Sequence, residues 1–254
     1  MTEDYLARHR SHDYLHLVER WRAVAARSGL VMRRLATGPE FNIYSLRSRV
    51  LPRDGAIYIS AGIHGDEPGG TEALITWAEK NIRLLRRRPF LLVPCINPWG
   101  LVNNSRTDSA RRDLNRLFRD GEATEILALK RAIGRRRFSL VLTLHEDFDG
   151  CGIYIYELQG ATPYWGEALL EAARPHIPPD TRDVIEGREA AHGLVRRAID
   201  MKFFETIGLP EAVYLHLQGC RRVFTVETPS EYSLDRRIHA HIAVIDECIR
   251  RLRK

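Results

Sequence analysis

Short apolar runs, rich in β-branched and aromatic residues, alternate along the chain with longer segments whose apolar positions recur at helical spacing. Runs of this length and composition predict buried strands. The segments that fit are residues 56–61, 90–96, 138–144, 152–158 and 222–227. Helical spacing occurs in residues 12–28, 69–85, 122–133 and 235–252, and Pro68 suits the first turn of the second of these helices.

This alternation of strands and helices is typical of a mostly parallel sheet covered by helices on both faces. The chain has no internal repeat, no low-complexity linker and no break in composition, although residues 173–180 are predicted to be irregular. Residues 1–254 are therefore predicted to form a single α/β domain with a central, mostly parallel mixed sheet. In such open sheets ligands collect at the carboxyl ends of the strands, so the residues there are the first candidates for chemistry.

Composition and charge exclude several classes of protein. Hydrophobic residues make up 44% of the chain and charged residues 28%, which fits a globular protein and not a disordered or fibrous one. The chain has 39 basic and 33 acidic residues, but its arginine clusters are scattered, so no nucleic-acid partner is predicted. No apolar stretch approaches the roughly 18 residues that a membrane span needs.

The cysteines and the first residues bear on the cellular compartment. Cys95, Cys151, Cys220 and Cys248 lie far apart and form no CxxC pair, which favours reduced and mostly buried thiols. Residues 1–10 have no apolar run behind a basic head, so no secretory leader is predicted. These observations together predict a cytoplasmic protein with no membrane partner.

Candidate metal ligands follow the predicted strand 56–61, where glycines in the sequence GIHGDE fold His64 and Glu67 back before a helix. A tight turn can direct an imidazole nitrogen and a carboxylate oxygen at one cation, and this donor pair suits zinc. A catalytic zinc site usually needs a third protein ligand, and His145 at the end of strand 138–144 is the candidate. Considered singly, each residue is also typical of a polar turn or a structural histidine.

A second polar group follows strand 90–96 and comprises the turn NPWG at residues 97–100, then Arg106, then the sequence DLNR at residues 113–116. A guanidinium group donates two parallel hydrogen bonds to a carboxylate or an oxyanion and keeps its charge. Two arginines beside a zinc ion would therefore bind anions. For either arginine alone, a surface ion pair is the simpler interpretation.

The order GxHGDE, NPxG, Arg, DLNR, strand-end His and late Glu resembles the zinc metallocarboxypeptidase superfamily, which includes carboxypeptidase A, the murein peptide amidases and the desuccinylase/aspartoacylase branch. The resemblance covers about residues 57–227. It implies that His64, Glu67 and His145 bind one zinc ion per chain. It also implies that Asp113 holds His64 by its other ring nitrogen, although Asp113 could instead cap the turn before Leu114.

The same resemblance implies roles for the remaining residues. Arg106 matches the arginine that polarises the scissile carbonyl, and Asn115 with Arg116 matches the pair that binds the terminal carboxylate of the substrate. Glu227 is similar to the general base, which takes a proton from the metal-bound water and passes it to the leaving amine. For an isolated glutamate at a strand end, a solvated carboxylate would be the simpler interpretation.

Several features depart from carboxypeptidase A. Glu146 and Asp147 follow His145, and these carboxylates could bind a substrate amine, tune the site, hold a second metal or belong to a surface turn. The mobile tyrosine of the family has no clear counterpart: Tyr214 is the nearest match but is more simply a core residue. Tyr154 and Tyr156 alternate along a strand and are predicted to be packing residues.

The leading hypothesis is a zinc hydrolase that cleaves an amide bond next to a free carboxylate in small peptides, as a carboxypeptidase or a peptide amidase. The alternative enzyme is an N-acyl amino acid deacylase of the desuccinylase/aspartoacylase type, although the glycine of NPWG is closer to the peptidases. A third possibility is a binding protein that has lost turnover, against which the presence of Glu227 argues. Neither the side-chain preference nor the oligomeric state follows from these motifs.

Overall fold

The computed structural model describes residues 10–252 and contains an eight-stranded mixed sheet and a separate two-stranded hairpin. The prediction about a secretory leader concerned residues 1–10, and all but the last of these lie outside the described residues. The strands are β1 (Val31–Thr37), β2 (Asn42–Arg47), β3 (Ile57–Ala61), β4 (Phe90–Val93), β5 (Leu140–Asp147), β6 (Tyr154–Leu158), β7 (Val184–Ile185), β8 (Arg188–Glu189), β9 (Leu194–Arg197) and β10 (Val223–Pro229).

The helices cover both faces of the large sheet. They are α1 (Tyr14–Ser28), α2 (Pro68–Lys80), α3 (Ile82–Arg87), α4 (Pro98–Asn103), α5 (Thr124–Ile133), α6 (Gly166–Ala173), α7 (Met201–Ile207), α8 (Glu211–Leu217) and α9 (Leu234–Arg251), with a short 3-10 turn at Leu114–Arg116. Within residues 10–252 no helix has the length and apolar character that a membrane crossing requires.

The sheet has the strand order β1-β2-β4-β3-β5-β10-β6-β9. The central strands β4, β3, β5 and β10 are parallel, whereas β2 and β6 pair antiparallel to them. The carboxyl ends of β3, β5 and β10 therefore meet at one edge of the sheet. This arrangement confirms the predicted α/β class with a mostly parallel mixed sheet.

Two buried apolar layers fix which residues of each strand face which way. Val141 and Val223 pack with residues of α5 and α8 on one face, whereas Leu142 and Phe224 pack with α1, α2, α6 and α9 on the other. Because successive side chains of a strand point to opposite faces, each strand contributes to both layers. We call the face that carries Val141 and Val223 the front face and the other the back face.

Several predicted boundaries differ from the structure. The strand predicted at 138–144 begins later and continues through Asp147, because β10 pairs with it along that whole length. The strand predicted at 222–227 continues to Pro229. It is the last strand along the chain, yet it lies inside the sheet between β5 and β6. His145 and Glu227 therefore lie within strands and not directly after them.

The helix predicted at 69–85 is two helices that meet at Asn81. The Asn81 side chain donates to the carbonyl of Trp77, and its backbone N–H bonds to Ala78, which ends α2 before α3 begins. The strand predicted at 90–96 ends at Val93, because Pro94 has no N–H to continue the ladder. The four cysteines are free, with Cys151 exposed and the others buried.

The loops that follow β3 and β4 touch through two glycines. A Cβ on Gly65 would lie 1.9 Å from the backbone carbon of Gly100, and the Gly65 N–H donates to the Ser105 carbonyl at 3.0 Å. Only glycine permits two backbones to approach this closely. The glycines of the GIHGDE and NPWG sequences therefore hold these two loops together at the edge of the sheet.

Candidate metal centre and active site

The predicted ligands converge at the carboxyl edge of the sheet. His64 and Glu67 lie in the loop between β3 and α2, and His145 lies near the end of β5, the neighbour of β3. One ligand atom from each residue lies within 4.8 Å of the others, and all three side chains are almost fully buried. The fold therefore builds one compact cluster from residues that are far apart in sequence.

Both imidazoles face the same carboxylate. The Glu67 Oε1 atom lies 2.5 Å from His64 Nδ1, and its Oε2 atom lies 2.9 Å from His145 Nδ1. Two imidazole nitrogens and a carboxylate that face a common centre form a donor set suited to a divalent cation such as zinc. The residues present thus fit the metal that the resemblance implies.

The electrostatics of the cluster favour positive charge. Burial alone would lower the pKa of His64, but the carboxylates of Glu67 and Asp113 outweigh it and raise that pKa to about 9. Burial raises the pKa of Glu67, yet His64 and His145 together hold it well below its ordinary value. The Glu67 carboxylate would therefore stabilise a positive charge placed among these three side chains.

Asp113 makes both of the contacts considered for it. Its Oδ1 atom lies 3.2 Å from His64 Nε2 and also accepts the N–H of Asn115 at 2.9 Å, which caps the short 3-10 turn. Its Oδ2 atom accepts from Arg106 at 3.1 Å. Since a carboxylate on the outer nitrogen fixes the orientation of a ligating imidazole, Asp113 leaves His64 Nδ1 directed at Glu67.

Glu227 lies beside the cluster because of strand register. In the parallel pairing of β10 with β5 it is opposite His145, and in the antiparallel pairing with β6 it is opposite Tyr154, so the three side chains share the front face. Burial raises the pKa of Glu227 well above its ordinary value, and Glu67, Glu186 and Asp147 raise it further against the opposing effect of His145. A carboxyl group of this kind is suited to hold and return a proton.

A cavity of about 700 Å³ opens in front of this cluster. It is lined by most of the predicted site residues, namely His64, Glu67, Arg106, Asn115, Arg116, His145 and Glu227. Arg106 bonds Asp113 and lies 3.5 Å from Glu67, and 45% of its side chain is exposed. The cavity therefore has a basic side formed by the loop that carries Arg106 and Arg116.

Asn115 and Arg116 both lie on this basic side. The Asn115 side chain is bonded to another element, whereas Arg116 has no ion-pair partner among the described residues. The Asn115 Oδ1 atom accepts the backbone N–H of Glu211 at 3.0 Å, which leaves Nδ2 as the donor of that side chain. Glu211 is itself buried and accepts from Tyr58 and from Ser60 at 2.9 Å. Arg116 bonds only the Asn115 carbonyl at 3.3 Å and forms no ion pair with any carboxylate of residues 10–252. Its guanidinium group is thus available to an anion.

Glu146 and Asp147 lie on opposite faces of β5. Glu146 points to the back face, where it pairs with Arg237 at 2.7 Å, so it is neither a ligand nor part of a surface turn. Asp147 lines the cavity, where its carboxylate accepts from Tyr154 at 3.0 Å and from Arg182 at 3.3 Å. Among the described residues, only His64, Glu67 and His145 form a group that could hold a metal ion.

The tyrosines considered above pack against neighbouring side chains, and two of them also line the cavity. Tyr214 packs against Phe118 at a ring distance of 5.5 Å and does not line the cavity. Tyr154 is buried as predicted, but it and Tyr156 also form a wall of the cavity beside Glu227.

Sequence analysis missed one polar wall of the cavity. Glu186 lines it, accepts the hydroxyl of Tyr156 at 2.5 Å, and has a φ of +47° that non-glycine residues seldom adopt. Together with Gly187, at φ +71°, it forms the turn between β7 and β8. The available signal in the sequence was Gly187, which follows Glu186 directly after the apolar pair of β7. Strands of two residues are too short to give a recognisable pattern.

Comparison with known proteins agrees with this geometry. Residues 54–174 match the model of the succinylglutamate desuccinylase/aspartoacylase catalytic domain. A suspected metallopeptidase from Shewanella amazonensis has a TM-score of 0.82 at 23% identity, over 95% of this chain and 94% of that one. A metallo-carboxypeptidase from Burkholderia cenocepacia has a TM-score of 0.67 at 18% identity, over 93% of this chain and 68% of that one. The chain therefore shares its fold with these structures, and residues 54–174 are similar to that catalytic domain.

A further similar structure is the metallo-carboxypeptidase from Pseudomonas aeruginosa in complex with (2-guanidinoethylmercapto)succinic acid. It has a TM-score of 0.65 at 20% identity, over 92% of this chain and 68% of that one. No curated protein matches the sequence. The fold is thus shared with these structures along nearly the whole chain, whereas the match to the family model is confined to residues 54–174.

The ligand cluster makes a direct prediction about metal content. Protein purified without chelators and offered zinc should carry about one zinc ion per chain, because three protein ligands suit one catalytic zinc. The variant His145→Ala should lose most of it, since it removes a donor from the cluster. The exposed His239 is the matched control, and His239→Ala should bind zinc like the parent. Elemental analysis that finds no transition metal in the parent would contradict the prediction.

Proposed function

We propose that the protein is a zinc-dependent hydrolase that cleaves an amide bond next to a free carboxylate in small peptides. The observation that carries this proposal is the meeting of three groups in one cavity: the His64–Glu67–His145 cluster, the carboxyl of Glu227 and the guanidinium of Arg116. A metal ligand set, a proton acceptor and an anion-binding group are the parts that such a reaction needs.

The mechanism assigns a separate task to each residue. His64, Glu67 and His145 would hold the zinc ion, which would supply Lewis acidity for the amide carbonyl and for water. Glu227 accepts a proton from the attacking water and returns it to the leaving nitrogen, so that an amine and not an amide anion departs. Its raised pKa suits the second half of this task, because the protonated form is stable enough to donate.

The arginines act on the two oxygen-bearing groups of the substrate. Arg106 donates hydrogen bonds to the carbonyl oxygen as that oxygen gains negative charge. Arg116 binds the free carboxylate in a forked pair of hydrogen bonds, and Asn115 adds its Nδ2 donor. Binding the carboxylate at this side of the cavity would hold the adjacent amide near Glu227, which lowers the entropy cost of reaction.

The desuccinylase/aspartoacylase activity is the second candidate, since the family model matches residues 54–174. The charge of the cavity distinguishes between acyl groups. Beyond Glu227 the wall carries Asp147, Asp149 and Glu186, and the basic side offers Arg106 and Arg116. A succinyl group would bring a second carboxylate toward this acidic wall, which is unfavourable. A peptide with an amine there, or a neutral acyl group, fits the charges better.

The first test of the mechanism concerns Glu227. The variant Glu227→Gln should keep the fold and the zinc but lose turnover by about a hundredfold or more, as expected when a general base is removed. Steady-state kinetics and elemental analysis on the same preparation measure the two effects. The exposed Glu231 provides the control, and Glu231→Gln should be as active as the parent. Full activity in Glu227→Gln would remove Glu227 from the mechanism.

The second test concerns the carboxylate. The variant Arg116→Ala should lower kcat/KM for peptides with a free carboxylate, because a charge-paired contact is lost. The loss in transition-state stabilisation should be about 2–4 kcal/mol. Amidation of that carboxylate should lower kcat/KM of the parent enzyme by a similar factor. The two losses should not add, since they remove the same contact.

The matched control for this variant is the exposed Arg111, whose replacement by alanine should leave kcat/KM unchanged. If amidation does not change the rate of the parent enzyme, cleavage next to a free carboxylate is ruled out. Both the peptidase and the deacylase would then have to give way to an endopeptidase or another hydrolase.

The third test separates the two candidate reactions. The zinc-loaded protein should hydrolyse small peptides faster than N-acetyl amino acids, and N-succinyl amino acids slowest, because of the acidic wall. Release of free amino acid measured over a panel of all three classes gives the order. Preference for the N-succinyl compounds would show that the deacylase assignment is correct and the peptidase assignment wrong.

A further inference from the structure

A buried polar cluster lies on the back face of the sheet, directly behind the ligand residues. It comprises Glu146 of β5, Thr228 of β10, and Arg237 and His241 of α9, against the first turn of α2 at Gly69. We call these residues the back cluster. Glu146, Thr228 and His241 are each less than 5% exposed. The proposed mechanism gives none of them a task.

The back cluster is held by two side-chain pairs and one close approach. Arg237 donates to the Glu146 Oε2 atom at 2.7 Å, and the Thr228 hydroxyl lies 3.1 Å from His241 Nε2. The other carboxylate oxygen of Glu146 is pressed against α2, so that a Cβ on Gly69 would lie 2.0 Å from it. Glu146 therefore joins three elements, namely the end of β5, the start of α2 and the first turns of α9.

Each contact falls next to a residue of the front site. Glu146 directly follows His145, Thr228 directly follows Glu227, and Gly69 lies two positions after Glu67. Since alternate residues of a strand point to opposite faces, a contact that fixes Glu146 also fixes the backbone that directs His145 to the front. The contact at Gly69 does the same for the loop that carries Glu67.

Stability alone does not explain this cluster. Arg237 Nε has no hydrogen-bond partner among the described residues, and a buried unpaired polar atom costs free energy. A buried ion pair is often no more stable than apolar residues of the same size in its place. What such a pair does provide is a unique geometry, because the charged groups accept few alternative arrangements.

We infer that Glu146 and Arg237 are positioning residues that hold Glu67 and His145 in ligand geometry from behind the sheet. The inference rests on the proposed metal centre, and it adds a second support to the one that Asp113 gives to His64 from the front. A ligand set held at the right distances before the metal binds loses less freedom on binding, so its affinity is higher.

The experiment measures zinc affinity separately from activity. In the double variant Glu146→Leu/Arg237→Met both charges are replaced by apolar groups of similar length, so that no unpaired charge stays in the core. Zinc dissociation constants come from competition with a chelator, and the unfolding midpoint is measured on zinc-stripped protein. The double variant should bind zinc about 10–100-fold more weakly. Its midpoint without zinc should stay within a few degrees of the parent's, roughly a 1 kcal/mol difference.

Three further single variants make the test specific. Arg237→Lys keeps a cation near Glu146 and should bind zinc more tightly than Arg237→Met. Arg236, the exposed neighbour on the same helix, bonds the His176 carbonyl at the surface, and Arg236→Met should bind zinc like the parent. The visible spectrum of the cobalt-loaded double variant should differ from the parent's, because ligand geometry sets that spectrum.

The outcomes separate the inference from the proposed function. A folded double variant with unchanged zinc affinity and an unchanged cobalt spectrum overturns the positioning role and leaves the hydrolase assignment intact. If zinc affinity falls in the double variant while the parent hydrolyses no peptide or acyl amino acid, the positioning role stands and the proposed function fails.

Discussion

The parallel pairing of β3, β5 and β10 determines where His64, Glu67, His145 and Glu227 lie. Parallel strands end at the same edge, so the loop after β3 and the last residues of β5 and β10 are neighbours whatever their separation in sequence. Register then selects the face: one residue more or less in β10 would turn Glu227 to the back and Thr228 to the cavity. The His64–Glu67–His145 cluster, the position of Glu227 and the cavity all depend on that single alignment.

Much of this could be predicted from the sequence because the deciding signals are local. Apolar runs indicated the central strands, and the glycines around His64 and Glu67 indicated a tight turn before a helix. Peripheral elements were missed where the pattern is short or partly exposed, as in the edge strand Val31–Thr37 and its neighbour Asn42–Arg47. Buried and exposed positions do not alternate regularly in these two strands, which gives weaker periodicity.

The site was predictable to the extent that each residue acts through its own chemistry. The convergence of His64, Glu67 and His145 follows from donor types and strand ends, whereas the task of Glu146 depends on which face of β5 it occupies. Sequence alone could not supply that face, because the predicted strand ended at residue 144. The partners of Glu146 and Asn115 lie on α9 and α8, so tertiary packing and not motif spacing decides what these residues do.

The contact between Asn115 and Glu211 has a consequence for how this protein can change. One side-chain amide meets two requirements: its oxygen anchors the start of α8, and the residue also lines the cavity, where its nitrogen is the donor that is left. Aspartate in its place would preserve the anchor while presenting a negative charge to an incoming anion. Alanine would remove both the anchor to α8 and the hydrogen-bond donor. Substitution of Asn115 would therefore affect both folding and anion binding. Only a side-chain amide provides the acceptor for α8 and an uncharged donor together.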